Sequence, residues 1–382
     1  MIEVGVPIIE MLFRIYKWLE YGEKQPPFKM FISPTDRCNL NCIFCPNSVA
    51  RKERRFKMED ELEDEEWERV VEDALRLGVK HFVVLGGGEP LLRKSAVLKM
   101  FRKVKKFDES IHFEIITNGT LLEKDDLIEF VEKKLNFITI SIHGTEDLHS
   151  MITGNRSVYQ KIVDNLRFLK ELKMKCNKKE PVVQINMVLT AYNYKQIEKM
   201  MEFFKNYADT LTLHSMRMYE EIENNVKDLR LKEEQKRELK NEINVLRKKE
   251  KGIKLRVSTL DDIEGCGEKI FLSNHFKVRC YEPWYSVLVN SDGRVGRCAA
   301  FTTRNEPLNI REFTLEEIWY SDFMENVREN VKKNVMMEGC ENCGLKDSTR
   351  FINRLLPFFM KYVNGEISVE DFVSILRRIE KW

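Results

Sequence analysis

The chain reads as α/β, a parallel sheet rolled into a barrel or open barrel, with a smaller cysteine-bearing segment beyond it. Three observations predict this. From Phe28 onward, strand and helix signals alternate through six β units, each followed by a helix or loop. The Gly-, Cys- and Asn-rich motifs fall just past the ends of predicted strands, where parallel α/β folds gather their chemistry. Cysteines then recur well beyond the last unit, around a separate turn between two short strands.

The elements follow in order. Residues 6–22 are amphipathic, and Pro26-Pro27 ends them as a helix. Glu10, Glu20 and Glu23 and the lack of a dense basic face favour packing on the fold over a membrane surface. Strands are expected at Phe28–Ser33, His81–Leu85, Ile111–Ile116, Phe137–Ile142, Val182–Leu189 and Leu211–Met216. Helices are expected at Glu61–Leu77, Ala96–Phe107, Lys124–Lys134, Val158–Leu172 and Tyr194–Tyr207. Residues 226–251 intersperse acids and bases, which describes a solvated helix and not a nucleic-acid patch. Gly252 precedes a further strand, Ile253–Val257. A Ser291-Asp292-Gly293 turn joins Tyr285–Val289 to Arg294–Arg297. Leu315–Trp319, Leu355–Tyr362 and Val369–Ile379 read as helices. The division expected is an N-terminal helix (1–27), a core (28–225), a charged connection (226–258), a second cysteine-bearing domain (259–350) and C-terminal helices (351–382).

Composition narrows the function. Of 382 residues 43% are hydrophobic, enough for a large core. The 64 Lys and Arg nearly balance the 62 Asp and Glu, so no basic surface for nucleic acid shows in the total. No run of about eighteen apolar residues and no cleavable signal pattern is present. Nine cysteines without a secretion signal read as metal ligands in a reducing cytoplasm, not as disulfides.

Cys38-Asn39-Leu40-Asn41-Cys42-Ile43-Phe44-Cys45 places three cysteines in a C-x3-C-x2-C spacing. Three thiolates can hold three corners of a [4Fe–4S] cubane and leave one iron open for a small molecule. A zinc knuckle is the alternative for the triplet alone. The triplet lies just past the first strand, Gly86-Gly87-Gly88-Glu89-Pro90 just past the second, and Thr117-Asn118-Gly119 at the end of the third. This set resembles the radical S-adenosylmethionine (SAM) superfamily: a CxxxCxΦC loop with Phe44 as the aromatic position, then a GGEP motif. The resemblance covers about residues 28–215. It implies a partial (β/α)6 TIM-type barrel with a small C-terminal α+β auxiliary-cluster domain.

Cys280, Cys298, Cys340 and Cys343 form a second set, Cys280-x12-Gly293-x4-Cys298 followed by C-x2-C. Four thiolates suit zinc and an iron–sulfur cluster equally well on chemistry alone. With the Ile-Trp-containing helix Leu315–Trp319 between them, the spacing is similar to the SPASM/twitch extensions of radical SAM enzymes, which implies an auxiliary [4Fe–4S] cluster. Only Cys176 and Cys266 remain, too few for a further four-thiolate cluster. Cys266, in Glu264-Gly265-Cys266-Gly267, is a candidate hydrogen-atom donor or alternative ligand; a bystander thiol is the competing reading. Cys176 reads as an exposed loop thiol.

The resemblance further implies that SAM chelates the open iron, that Gly86, Gly87, Gly88 and Glu89 meet its methionyl part, and that Phe44 shields the adenine. Glycine suits such a turn because without Cβ the main chain can approach a ligand closely. Asn118, Ser141, His143, Arg156 and Asn186 are candidate contacts to SAM or substrate, and His214 a weaker one. The reaction expected is reductive cleavage of SAM to a 5′-deoxyadenosyl radical and hydrogen abstraction from a substrate, ending in oxidation, bond formation or epimerisation. Partners expected are a ferredoxin- or flavodoxin-like electron donor and a small-molecule, sugar, lipid or peptide substrate. About 27 residues precede the first strand, too few for a peptide-binding domain there. The molybdenum-cofactor cyclase of the superfamily ends in Gly-Gly, whereas this chain ends Ile379-Glu380-Lys381-Trp382. The rival class is a non-catalytic iron–sulfur or zinc protein; a carrier has no need of an open three-cysteine site or of the glycine turn.

Overall fold

The computed structural model describes residues 5–45, 47–48, 60–216, 227–249, 252–258, 271–272, 275–276, 278–298, 307–337, 340 and 346–379. Helix α1 (Gly5–Tyr21) leads into β1 (Lys29–Ile32). The core then alternates α2 (Asp64–Leu77), β2 (His81–Val84), α3 (Lys94–Phe107), β3 (His112–Thr117), α4 (Lys124–Glu132) and β4 (Phe137–Ser141). It continues through α5 (Glu146–Thr153), α6 (Val158–Lys175), β5 (Val182–Leu189), α7 (Ile197–Phe204) and β6 (Thr210–Ser215). The local chemistry explains the helix limits. Glu63 opens α2 with a capping box to Glu66, and Gly78 closes it in the left-handed conformation at φ 99°.

The charged segment forms α8 (Glu233–Lys248), which buries Leu239, Ile243 and Leu246 and leads to β7 (Lys254–Ser258). A small hairpin, β8 (Phe271–Leu272) and β9 (His275–Phe276), precedes α9 (Glu282–Tyr285), β10 (Ser286–Val289) and β11 (Val295–Gly296). Helices α10 (Leu315–Trp319), α11 (Asp322–Lys332), α12 (Lys346–Val363) and α13 (Val369–Ile379) complete the fold.

The main sheet has nine strands in the order β11-β10-β1-β2-β3-β4-β5-β6-β7, and it is not closed into a barrel. All neighbours are parallel except the β10–β11 hairpin. The six predicted units are all present. The sheet extends past them on both sides: β7 continues it beyond β6, and β10 pairs in parallel with β1 in the register Lys29↔Ser286 to Ile32↔Val289. The cysteine-bearing C-terminal segment therefore shares the core's backbone ladder.

Alternation along the strands separates two faces. Met30, Ile32, Phe82, Val84, Phe113, Ile115, Ile138, Ile140, Val183, Ile185 and Met187 are buried under the helices. Lys29, Phe31, His112, Glu114, Ser141, Gln184 and Asn186 face the half-enclosed lumen and are less buried. The apolar face of α1 is occupied by the fold, with Met11, Leu12, Ile15, Tyr16 and Trp18 buried. Arg14 on the same helix donates to the carbonyls of Pro27 (3.1 Å) and Gly78 (2.9 Å), at the starts of β1 and β2. The fully buried Arg328 lies between the rings of Trp18 (4.3 Å) and Trp319 (4.5 Å) and donates to the Pro283 and Trp319 carbonyls at 2.9 Å. Desolvation lowers its pKa to about 10. The C-terminal helices cover this end through Phe359, which contacts Tyr16 and Phe13 edge-on. Among the described residues no helix is long and apolar enough to cross a membrane.

Candidate cluster and SAM site

The three-cysteine loop leaves the C-terminal end of β1 and is held by its backbone. Asn41 and Ile43 donate to the carbonyls of Thr153 (3.3 Å) and Ile152 (3.0 Å) at the end of α5. Cys45 N donates to Cys42 O (3.0 Å), and the Ser48 hydroxyl donates to Cys45 O (2.7 Å). Cys38, Cys42 and Cys45 are half-buried. Among the described residues no three His, Cys, Asp or Glu side chains are arranged to hold a single metal ion.

Gly86, Gly87 and Gly88 lie immediately beside this loop. A Cβ on Gly88 would sit 1.7 Å from Arg37 O, one on Gly87 2.0 Å from Asp36 Oδ1, and one on Gly86 2.6 Å from Gly88 O. The approach that demands glycine is thus to the segment preceding Cys38 and within the turn itself. Gly87 N donates to Ser33 Oγ (3.0 Å), and Gly87 O accepts from Asn47 Nδ2. Gly88 N donates to Thr35 O (3.1 Å).

Glu89 is 1% exposed, and both its oxygens are used. It accepts from Leu91 N (3.0 Å), Thr117 Oγ1 (2.6 Å) and Asn118 N (2.7 Å). Desolvation raises its pKa despite these bonds. Glu89 thereby ties the glycine turn to the end of β3. Asn118 carries the link onward, with Nδ2 2.9 Å from Asn39 Oδ1 and 3.9 Å from Cys38 Sγ.

Across the mouth, Ser141 and Asn186 are register partners on β4 and β5. Asn186 Oδ1 accepts from Gln184 Nε2 (2.9 Å). His143 is 5% exposed; its ring stands edge-on to Phe44 at 4.9 Å, and its Nδ1 accepts from Val188 N (3.3 Å). That acceptor role assigns its proton to Nε2. Burial, then the neighbouring His149 and His214, push its pKa down to about 3. Arg156 is exposed in the loop between α5 and α6. Cys266 and Cys343 lie outside the described residues. Cys176 is exposed, as expected.

Sequence reading missed several residues here. His149 on α5 is fully buried and accepts from His143 N at Nδ1 (3.2 Å). Asn193 donates to the His143 and Val188 carbonyls (2.8 Å each). The Thr145-to-Gly154 spacing signals α5 as a short capped helix and could have placed His149 opposite His143. The lumen floor also went unread. Lys29, His81 and His112 occupy one register row, and Glu114 lies above them. Burial pushes His81 down to about 4. Glu114 stays below its ordinary value because His81, Lys29 and Thr139 outweigh its own desolvation.

The buried histidines give a pH dependence. His149, held at about 4 by burial, is neutral in the folded chain, while the unfolded chain takes up its proton near the ordinary value of about 6.5. Stability is therefore lost as pH falls from about 6.5 toward 4, by about 3 kcal/mol for this one group. His149→Asn keeps an acceptor for His143 N without the titration. Its thermal midpoint should fall less than that of the unaltered chain between pH 7 and pH 4.5; equal losses would show that His149 does not carry the effect.

Three cysteines of the second set lie among the described residues. Cys280 precedes α9 and β10, Cys298 follows β11, and Cys340 follows α11; all three are half-buried. Because β10 runs parallel to β1, the base of the hairpin lies at the N-terminal end of β1 and its tip lies beside the Cys38 loop. The four-residue strand between them spans about 13 Å.

Residues 32–204 match the model of the radical SAM superfamily, and residues 280–344 match that of SPASM, an iron–sulfur cluster-binding domain. The chain belongs to the radical SAM superfamily and carries a C-terminal SPASM domain. The GTP 3′,8-cyclase of Aquifex aeolicus is 34% identical over 188 residues, 48% of this chain and 55% of that protein. The PqqA peptide cyclase of Bradyrhizobium diazoefficiens is 27% identical over 195 residues, 50% of this chain and 47% of that protein. The chain thus spans about half the length of the curated relatives it matches. Streptococcus suis SuiB bound to precursor peptide SuiA superposes with a TM-score of 0.62 at 20% identity, covering 87% of this chain and 73% of that one. This last likeness concerns the fold.

Proposed function

We propose that this protein is a radical SAM enzyme that oxidises a peptide substrate with the help of an auxiliary iron–sulfur cluster. The observation that carries the reading is the convergence of the half-buried Cys38, Cys42 and Cys45, the glycine turn and the Ser141–Asn186 pair at one end of an open parallel sheet. Cys38, Cys42 and Cys45 would hold a [4Fe–4S] cluster with one open iron. With SAM bound there, reductive cleavage would supply a 5′-deoxyadenosyl radical for hydrogen abstraction. The chain's own residues position and enclose. Glu89 fixes Asn118 beside Cys38, and the Phe44–His143 pair gives the mouth an apolar wall with a neutral imidazole. Gly86, Gly87, Gly88, Ser141 and Asn186 face the SAM position. Cys280, Cys298, Cys340 and Cys343 would hold the second cluster, with residues 28–225 as the core and 259–350 as the cluster domain.

A peptide substrate is supported by the likeness to a PqqA peptide cyclase and by the fold shared with SuiB. The lumen floor of Lys29, His81, His112 and Glu114 offers donors and acceptors for polar groups. A ferredoxin- or flavodoxin-like donor would deliver the electron for SAM cleavage, and the group held by Cys280, Cys298, Cys340 and Cys343 would supply a one-electron oxidant for the substrate. The test is anaerobic reconstitution with dithionite and SAM, following 5′-deoxyadenosine by chromatography and a peptide pool by mass. Loss of two hydrogens from a peptide supports the full reading. Turnover of GTP with no change in peptides would overturn the peptide assignment and leave SAM cleavage standing.

A further inference from the structure

The hairpin tip at Ser291 reaches the segment that precedes the first cysteine. Ser291 is 3% exposed, and its hydroxyl donates to Asp36 Oδ2 at 2.8 Å. Its carbonyl accepts from Leu62 N at 2.7 Å. The other oxygen of Asp36, Oδ1, lies 2.0 Å from where a Cβ on Gly87 would be, so the carboxylate is wedged between the hairpin tip and the glycine turn. Gly87 is held at its other sides by Ser33 Oγ and Asn47 Nδ2. Asp36 N also donates to Glu61 Oε1 (3.3 Å), and Glu61 pairs with Arg37 (3.0 Å) and accepts from Thr35 Oγ1 (2.5 Å). The base of the same hairpin is flanked by Cys280 and Cys298.

We infer that Ser291 and Asp36 are positioning residues: the C-terminal domain sets the geometry of the glycine turn through this hydrogen bond, and the hairpin is a strut joining the two cluster sites. The reasoning is mechanical. Gly87 has no side chain of its own to fix it, so its place is set by what presses on it. One of those contacts, Asp36, is oriented by a residue from a domain 255 positions away. Loss of the Ser291 hydroxyl removes one of the contacts that hold the carboxylate against Gly87 while leaving the strand ladder and the Leu62 bond intact. This inference rests on the proposed SAM chemistry, and the two fail separately.

The experiment uses the full chain, reconstituted without oxygen, as Ser291→Ala and Ser291→Thr. Ser291→Ala should raise the KM for SAM on the order of 10-fold, the loss of one hydrogen bond to a charged group, with a smaller change in kcat for 5′-deoxyadenosine formation. The electron paramagnetic resonance spectrum of the reduced chain with SAM should shift, while iron content and thermal midpoint stay near those of the unaltered protein. Ser291→Thr restores the hydroxyl and should recover KM and spectrum. An unchanged KM and spectrum in Ser291→Ala overturns the inference. So does a Ser291→Ala defect confined to lower iron content, since that marks a folding role. If the unaltered chain binds no cluster and cleaves no SAM, the proposed function itself fails.

Discussion

Replacing Cys38, Cys42 and Cys45 together by alanine abolishes SAM cleavage and leaves about four irons per chain after anaerobic reconstitution. The loop's backbone is held by α5 through Asn41 N and Ile43 N and by its own turn bonds, none of which uses a thiol. The variant should therefore fold, and the readout isolates the metal. The remaining irons report the C-terminal thiols, of which Cys280 and Cys298 flank the base of the hairpin, away from its tip beside this loop. Iron and zinc are counted by atomic emission, and cleavage is followed as 5′-deoxyadenosine. Zero iron with one zinc would make the C-terminal site structural and remove the electron acceptor from the proposed reaction.

Gly88→Ala should be nearly as damaging, for steric reasons. The added Cβ would meet Arg37 O at 1.7 Å and Asp36 C at 2.7 Å. Both are backbone atoms, so neither can swing aside as a side chain would. Relief requires the turn to move, which breaks Gly88 N to Thr35 O (3.1 Å) and Glu89 N to Arg37 O (2.6 Å). The cost is about 3 kcal/mol of stability, in the range of overpacked sites. SAM affinity should fall on the order of 100-fold, because the same turn faces the proposed ligand. Gly154→Ala is the contrast. Its φ is +72° with nothing within 4 Å, so only backbone strain of about 1 kcal/mol is expected, with SAM cleavage intact. Thermal midpoints and SAM titrations on both variants check the pair. A Gly88→Ala protein with normal SAM affinity would show that the turn's position does not govern binding.

Much of this was legible along the chain because it depends on neighbours in sequence. The alternation of strand and helix patterns located all six core units, since a buried face leaves a period of two in a strand and near 3.6 in a helix. The C-x3-C-x2-C spacing and Gly86-Gly87-Gly88-Glu89-Pro90 named the mouth, because ligands on one short loop are close whatever the rest of the fold does. The Asp292-Gly293 turn placed a hairpin between Cys280 and Cys298 for the same reason. Glu89 stands in the motif among the cofactor contacts, and the structure adds that its buried carboxylate accepts from Leu91, Thr117 and Asn118. A motif shows that a residue is present, and only its surroundings show what it touches.

The sequence by itself determined the α/β class, the order of the elements, the two cysteine sets and the family. The tertiary structure alone decided that β10 lies beside β1, that the hairpin between Cys280 and Cys298 points its tip toward the Cys38 loop, and that Ser291 meets Asp36. It also decided that His149 stands behind His143, and that the glycines make room for Asp36 and Arg37. The physical reason is range. Period, spacing and turn chemistry act within a few residues and are written locally. Strand neighbours and long-range hydrogen bonds join segments up to 294 positions apart, and their partners are chosen only when the whole sheet is assembled.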